Sequence, residues 1–139
     1  IEYLSSIETA SMDFVFSSTV LHFIKQVDGV MGEIYRVLKP EGICILSVIH
    51  PVYSARYPMA KEDDRFPTEE DWKVRYLNKA MRAYVQPWIQ YNPELEDFLT
   101  YSYHHTMADY INGIIRSGLT LHSLTEPHPP AEWEKEKPK

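Results

Sequence analysis

Two kinds of hydrophobic pattern follow one another along the first fifty residues. Asp13-Phe14-Val15-Phe16-Ser17-Ser18 is a short apolar run with polar ends. Such runs are typical of strands buried on both faces of a parallel sheet. Val27, Val30, Met31, Ile34, Val37 and Leu38 then recur at offsets of three and four, forming the apolar stripe of a helix. Arg36 and Lys39 fall in its last turn, where cations suit the helix dipole. Pro40 stops the helix and Gly42 serves the turn behind it. Ile43 to Ile49 is a second apolar run. Strand, helix, strand in that order predicts one right-handed parallel crossover. Ligands of such folds sit at the carboxyl ends of the strands, and both runs end in small polar residues.

The flanks read differently. Ile1 to Leu4 has the look of a strand end, followed by a loop through Ser5, Ser6, Ile7 and Glu8. The chain is therefore expected to begin inside a fold. From Val52 to Thr100, prolines, charges and aromatic residues are dense, and residues 52–100 are read as a helical insertion or lid. Thr68-Glu69-Glu70-Asp71 matches a capping box, and Trp72, Tyr76, Leu77, Ala80, Met81 and Tyr84 share one face of the helix it would start. Thr106-Met107-Ala108-Asp109 is a second such pattern. Its helix turns Met107, Tyr110, Ile111, Ile114 and Ile115 inward and ends at Ser117-Gly118. Leu119 to Leu124 is expected to be a strand. The proline-bearing tail from Glu126 reads as a loop.

Composition narrows the function classes. The chain has 139 residues, which suits a single core, with 44% hydrophobic and 24% charged positions. Fourteen Lys and Arg face twenty Asp and Glu, a net charge of -6, so a nucleic-acid face is not expected. The single cysteine, Cys44, excludes an intrachain disulfide and a cysteine-based zinc cluster, and it reads as a buried small hydrophobe. The longest apolar run, Gly42 to Ile49, is too short to span a bilayer, and no basic region precedes an apolar one. A cytoplasmic protein is the expectation.

Several stretches, in order, resemble one family. Phe14 to His22 (FVFSSTVLH), Glu33 to Gly42 (EIYRVLKPEG) and Leu46 to Tyr53 (LSVIHPVY) are similar to class I S-adenosylmethionine-dependent methyltransferases. The likeness is strongest to the small-molecule branch with a His-Pro after the fifth strand. Tyr103-His104-His105-Thr106, Tyr110-Ile111-Asn112, Gly118-Leu119 and Glu126-Pro127 extend it. The resemblance implies an α/β fold, a partial Rossmann-like doubly wound sheet that lacks the first strands and the last strand, with a helical insertion. It also implies S-adenosylmethionine as cofactor and a small-molecule acceptor. The family's Gly-rich turn after the first strand and its second-strand acid have no counterpart among these residues. The position of its third-strand acid falls on Ser6.

Candidate site residues follow from both arguments. By resemblance, Ser6, Ile7 and Glu8 would lie beside the cofactor. Ser17 and Ser18 end the first apolar run, and with Leu21 and His22 they would face the cofactor's amino-acid part; the plainer alternative is a strand end capped by hydroxyls. His22, His50 and His104 are the candidate catalytic bases, each with a structural alternative. Pro51 alone would explain a sharp exit at His50. No histidine spacing suggests a metal. Two functions are open: methyl transfer in the parent protein, the 139 residues alone being inactive, or a non-catalytic scaffold that serves as an interaction module.

Overall fold

The computed structural model describes residues 4–56, 76–79, 81–85 and 99–127. The core unit is the expected crossover. Strand β1 (Met12–Ser18) leads through a 3-10 turn (Leu21–Phe23) to helix α1 (Val27–Val37), then strand β2 (Leu38–Ser47). The strands are parallel neighbours, paired from Met12 with Leu38 to Ser18 with Ser47. The chain continues into helix α2 (Pro51–Arg56). Strands β3 (Met81–Val85) and β4 (Leu99–Tyr103) form a separate antiparallel pair, and helix α3 (Met107–Ser117) packs on α1.

One face of the β1–β2 pair is covered. Val27, Val30, Met31 and Ile34 of α1 join Leu21, Ile24, Leu38 and Tyr110 in one buried cluster, against which Val15, Cys44 and Leu46 pack. Met31 is wholly enclosed. No element among the described residues covers the opposite face: Phe14, Phe16, Ile43 and Ile45 are 50–62% exposed. The expectation of strands buried on both faces holds on one face only.

Four local expectations change. The helix passes into β2 at Leu38 with no intervening loop, so Pro40 lies inside the strand. The turn is made by Glu41 at φ 65°, which breaks the register between Met12 and Phe14. Gly42 is needed for a different reason: a Cβ there would stand 2.9 Å from the Lys39 carbonyl oxygen. Met81 to Tyr84 is strand, not helix, because pairing with β4 overrides the helical spacing. Trp72 and the Thr68 box lie outside the described residues. Leu119 to Leu124 forms no strand, since it has no strand neighbour among the described residues. Ile115 is 62% exposed, so the inward face of α3 is Tyr110 and Gly113, with Ile111 and Ile114 half-buried.

The second capping box is fully formed. Thr106 Oγ1 accepts from the Asp109 N–H at 3.2 Å, and Asp109 Oδ2 accepts from the Thr106 N–H at 2.8 Å. Gly118 closes the helix at φ 90°, a left-handed cap that favours glycine.

Candidate active site

The carboxyl ends of β1 and β2 come together at Ser18 and Ser47. The Thr19 N–H donates to the Ser47 carbonyl at 2.8 Å, which extends the ladder by one bond. Thr19 then turns at φ 55°. A β-branched residue in the left-handed region is strained, by about 1–3 kcal/mol, and such outliers cluster at ligand sites. Ser18 and Thr19 hydroxyls stand 3.2 Å apart on the exposed rim, and Ser17 is half-buried beneath them.

The 3-10 turn then buries Leu21 and His22. His22 Nδ1 is enclosed and has no hydrogen-bond partner among the described residues. Burial, helped by the nearby His105, holds its imidazole below the ordinary value of 6.5, so the ring is neutral at physiological pH. The Phe23 ring lies 3.9 Å from it, centroid to centroid.

The other two candidate bases are committed elsewhere. His50 sits ahead of α2 and accepts from the Val52 N–H at 3.2 Å through Nδ1. Its Nε2 must then carry the proton, and it faces Glu126 Oε1 at 2.8 Å. Pro51 follows as the first helical residue, where its missing N–H costs nothing. His104 is 2% exposed, with both ring nitrogens engaged. Nε2 meets the Tyr76 carbonyl at 2.9 Å, so it donates, and Nδ1 lies 2.9 Å from Ser54 Oγ, which donates to it when the ring is neutral. His104 is therefore a clamp that ties residue 76 to α2. Of the three candidates, His22 is the one with an unspent nitrogen.

Ser6, Ile7 and Glu8 do not join this group. Arg36, in the last turn of α1, donates to the carbonyls of Ile7 at 2.9 Å and Leu4 at 3.0 Å, and it pairs with Glu33 at 2.9 Å. Ala10 N–H donates to the Arg36 carbonyl and Ser11 N–H to the Val37 carbonyl. These contacts hold residues 4–11 at the amino-terminal end of the strands. The six steps from Met12 to Ser18 separate the two groups by roughly 20 Å at strand rise.

Sequence reasoning marks His105, beside His104, for a substrate-side role and passes over Ser54 and Thr19. His105 Nε2 donates to the Ile24 carbonyl at 2.7 Å. Ser54 bonds His104, and Thr19 carries the strained turn. Only His105 had a visible signal, its place beside His104. An open cleft of about 660 Å³ runs between the start of α1 and residues 103–109, lined in part by Lys25, Asp28, Lys79 and Tyr103. Its charges are largely paired: Arg116 with Asp28 at 2.7 Å and Lys79 with Asp109 at 2.6 Å. Burial pushes the Asp109 carboxyl up, but Lys79 and Thr106 outweigh it and the net direction is down. Among the described residues, no cluster of three or more His, Cys, Asp or Glu could hold a metal, and no helix is long and apolar enough to cross a membrane.

Known proteins give this geometry a context. The methyltransferase domain family matches residues 1–46. Juvenile hormone acid O-methyltransferase of Drosophila melanogaster is 39% identical over 59 residues, 40% of this chain and 20% of that protein. A Listeria monocytogenes structure assigned to the S-adenosylmethionine-dependent methyltransferases superposes with TM-score 0.70 at 28% identity, over 97% of this chain and 59% of that one. A methyltransferase of the same kind from Mesorhizobium loti gives TM-score 0.65 at 24% identity, over 93% and 54%, and speaks for the fold. The chain thus spans less than two thirds of the length of each of these relatives. With its parallel crossover and partial Rossmann-like sheet, the chain resembles the S-adenosylmethionine-dependent methyltransferases in fold, and its first 46 residues match the methyltransferase domain family.

Proposed function

We propose that the protein containing these residues transfers a methyl group from S-adenosylmethionine to a small organic acceptor, at the carboxyl ends of β1 and β2. The observation that carries this reading is the junction of Ser18 with Ser47 and the strained, hydroxyl-bearing exit at Thr19 that follows it. The juvenile hormone acid named for the Drosophila relative supports a small-molecule acceptor.

The residues present fit one side of the cofactor. Ser17 and Ser18 would border it, the Leu21 side chain being buried in the core, and the exposed Ser18 and Thr19 hydroxyls offer donors and acceptors to a polar group. When bound, the cofactor supplies an electrophilic methyl group on a sulfonium. The protein's share is alignment of the acceptor, a contribution that can reach roughly 7–11 kcal/mol. An acceptor that is an alcohol or an amine must lose a proton, and the enclosed His22 Nδ1 is out of its reach. An acceptor already ionised, such as a carboxylate, needs no such step.

The same 139 residues hold no two glycines that form a phosphate- or methionine-cradling turn. This favours a second reading, a scaffold that does not turn over by itself. We therefore expect residues 1–139 alone to bind S-adenosylmethionine weakly or not at all. Polar cofactor groups left unpaired cost about 1–3 kcal/mol each, and each 1.4 kcal/mol or so is a factor of ten. Calorimetric titration of this chain, and of a chain extended with a methyltransferase amino-terminal half, separates the readings. Micromolar binding by residues 1–139 refutes the partial-site claim, and no binding by the extended chain refutes methyl transfer.

A further inference from the structure

We propose that the open cleft of about 660 Å³ between the start of α1 and residues 103–109 binds a small organic acid that also carries a hydroxyl or N–H donor. Two unspent groups on its wall define that ligand: the lone pair of His105 Nδ1 and the ammonium of Lys25.

His105 is 7% exposed and lines the cleft. Its Nε2 donates to the Ile24 carbonyl at 2.7 Å, so the neutral ring carries its lone pair on Nδ1. That nitrogen has no partner among the described residues. It is also open, unlike His22 Nδ1, which among the described residues is the sealed side-chain polar atom without a partner. The ring is held in place: the Ile24 carbonyl fixes one edge, and Tyr110 meets it edge-on at 5.6 Å. A fixed acceptor on the wall of a cleft calls for an O–H or an N–H from whatever enters.

The charges select the rest of the ligand. Among the described residues that line the cleft, the cations Lys25, Lys79 and Arg116 face the carboxylates Asp28 and Asp109. Arg116 is spent on Asp28 and Lys79 on Asp109. Lys25 enters no ion pair or hydrogen bond among the described residues. One positive charge is thus left uncancelled here, in a chain whose net charge is -6. Helix α1 begins beside it, and Gln26 supplies no side-chain cap, so the first-turn N–H groups add to the same potential. One free ammonium matches one carboxylate. Val27, Met81 and Tyr103 also line the cleft and suit an apolar body between the two polar ends of the ligand.

NMR titration of the amino-terminally extended chain, without S-adenosylmethionine, tests this with three probes of one shape. They are para-hydroxyphenylacetate, its methyl ether para-methoxyphenylacetate, and its neutral amide. The hydroxy acid should bind saturably and move the His105 Nδ1 resonance in the direction of an accepted hydrogen bond. The ether and the amide should each bind about tenfold more weakly, the cost of one lost polar contact, and the ether should leave Nδ1 unmoved. Lys25→Gln should bring the hydroxy acid down to the affinity of the amide. No saturable binding of the hydroxy acid at millimolar concentration overturns the proposal. Equal affinity of acid and ether removes His105 from the site, and equal affinity of acid and amide removes Lys25; either result overturns it too. Inorganic phosphate binding as tightly as the hydroxy acid would reduce the cleft to a plain anion site and refute the assigned ligand. Because no cofactor is present, the outcome stands apart from that of the methyl-transfer reading.

Discussion

At the amino-terminal end of the two strands, polar groups are bound several times over. The guanidinium of Arg36 reaches Leu4, Ile7, Thr9 and Glu33, and Glu33 also accepts from the Leu4 N–H at 2.9 Å. At the carboxyl end, 20 Å or so away by strand rise, hydroxyls stand on an open rim and an enclosed imidazole nitrogen has no partner among the described residues. One pair of strands thus has a saturated end and an unsaturated one. Groups that the fold has already satisfied have nothing left to offer a ligand. The unsaturated end is where recognition and chemistry can be added.

The sharpest way to break this comparison is to exchange the expected effects. Ser18→Ala should weaken S-adenosylmethionine binding by the extended enzyme about tenfold, the cost of one unpaired polar group, with the melting temperature nearly unchanged. Arg36→Ala should do the reverse, lowering the melting temperature and leaving S-adenosylmethionine affinity in place. Similar losses of affinity in both variants would erase the distinction between the ends. Next in size is the support behind the carboxyl end. Thr106→Ala removes half of the capping box and should cost about 1 kcal/mol, read by urea unfolding. A cost near zero would mean that α3 is held by packing alone.

The smallest effects lie in the pH dependence, where the two ends separate. Glu33 is held at about 2 by the Arg36 hydrogen bond and then by the Leu4 N–H. Its folded value is depressed, so its contribution is present above 4.5, its unfolded value, and is lost as pH falls towards 2. His22 is depressed too, but as a base. Above 6.5 it is neutral in both states. Below that the unfolded chain takes a proton that the folded one resists, and stability falls until the folded value is also passed. Acid unfolding should show two limbs: His22→Gln abolishes the one below 6.5, and Glu33→Gln flattens the one below 4.5.

The crossover was legible in the sequence because its signals are local. An apolar run, a stripe at three and four, and a second apolar run admit few other arrangements, and the Thr106–Asp109 box formed as spelled. What sequence could not deliver depends on distant partners. The spacing from Tyr76 to Tyr84 suits a helix, yet Met81–Val85 pairs with a strand some twenty positions on. Ser6, Ile7 and Glu8 were drawn to the wrong end because Arg36, 29 positions after Ile7, decides where that loop lies. Among three equivalent-looking histidines, only folded surroundings distinguish a clamp, a helix cap and an enclosed ring nitrogen with no partner among the described residues.

The bare side of the β1–β2 pair bears on how the molecule behaves in a tube. Phe14, Phe16, Ile43 and Ile45 form an apolar plate beside two strand edges that have no strand neighbour among the described residues. Contiguous apolar surface of this kind drives self-association. Opposing it is a charge of -6, whose repulsion works over about 10 Å at 0.1 M salt and shrinks as salt is added. Light scattering of residues 1–139 should therefore rise with ionic strength and as pH approaches 5.5. Replacing Phe16 and Ile45 with threonine should restore clarity without disturbing the core on the other face.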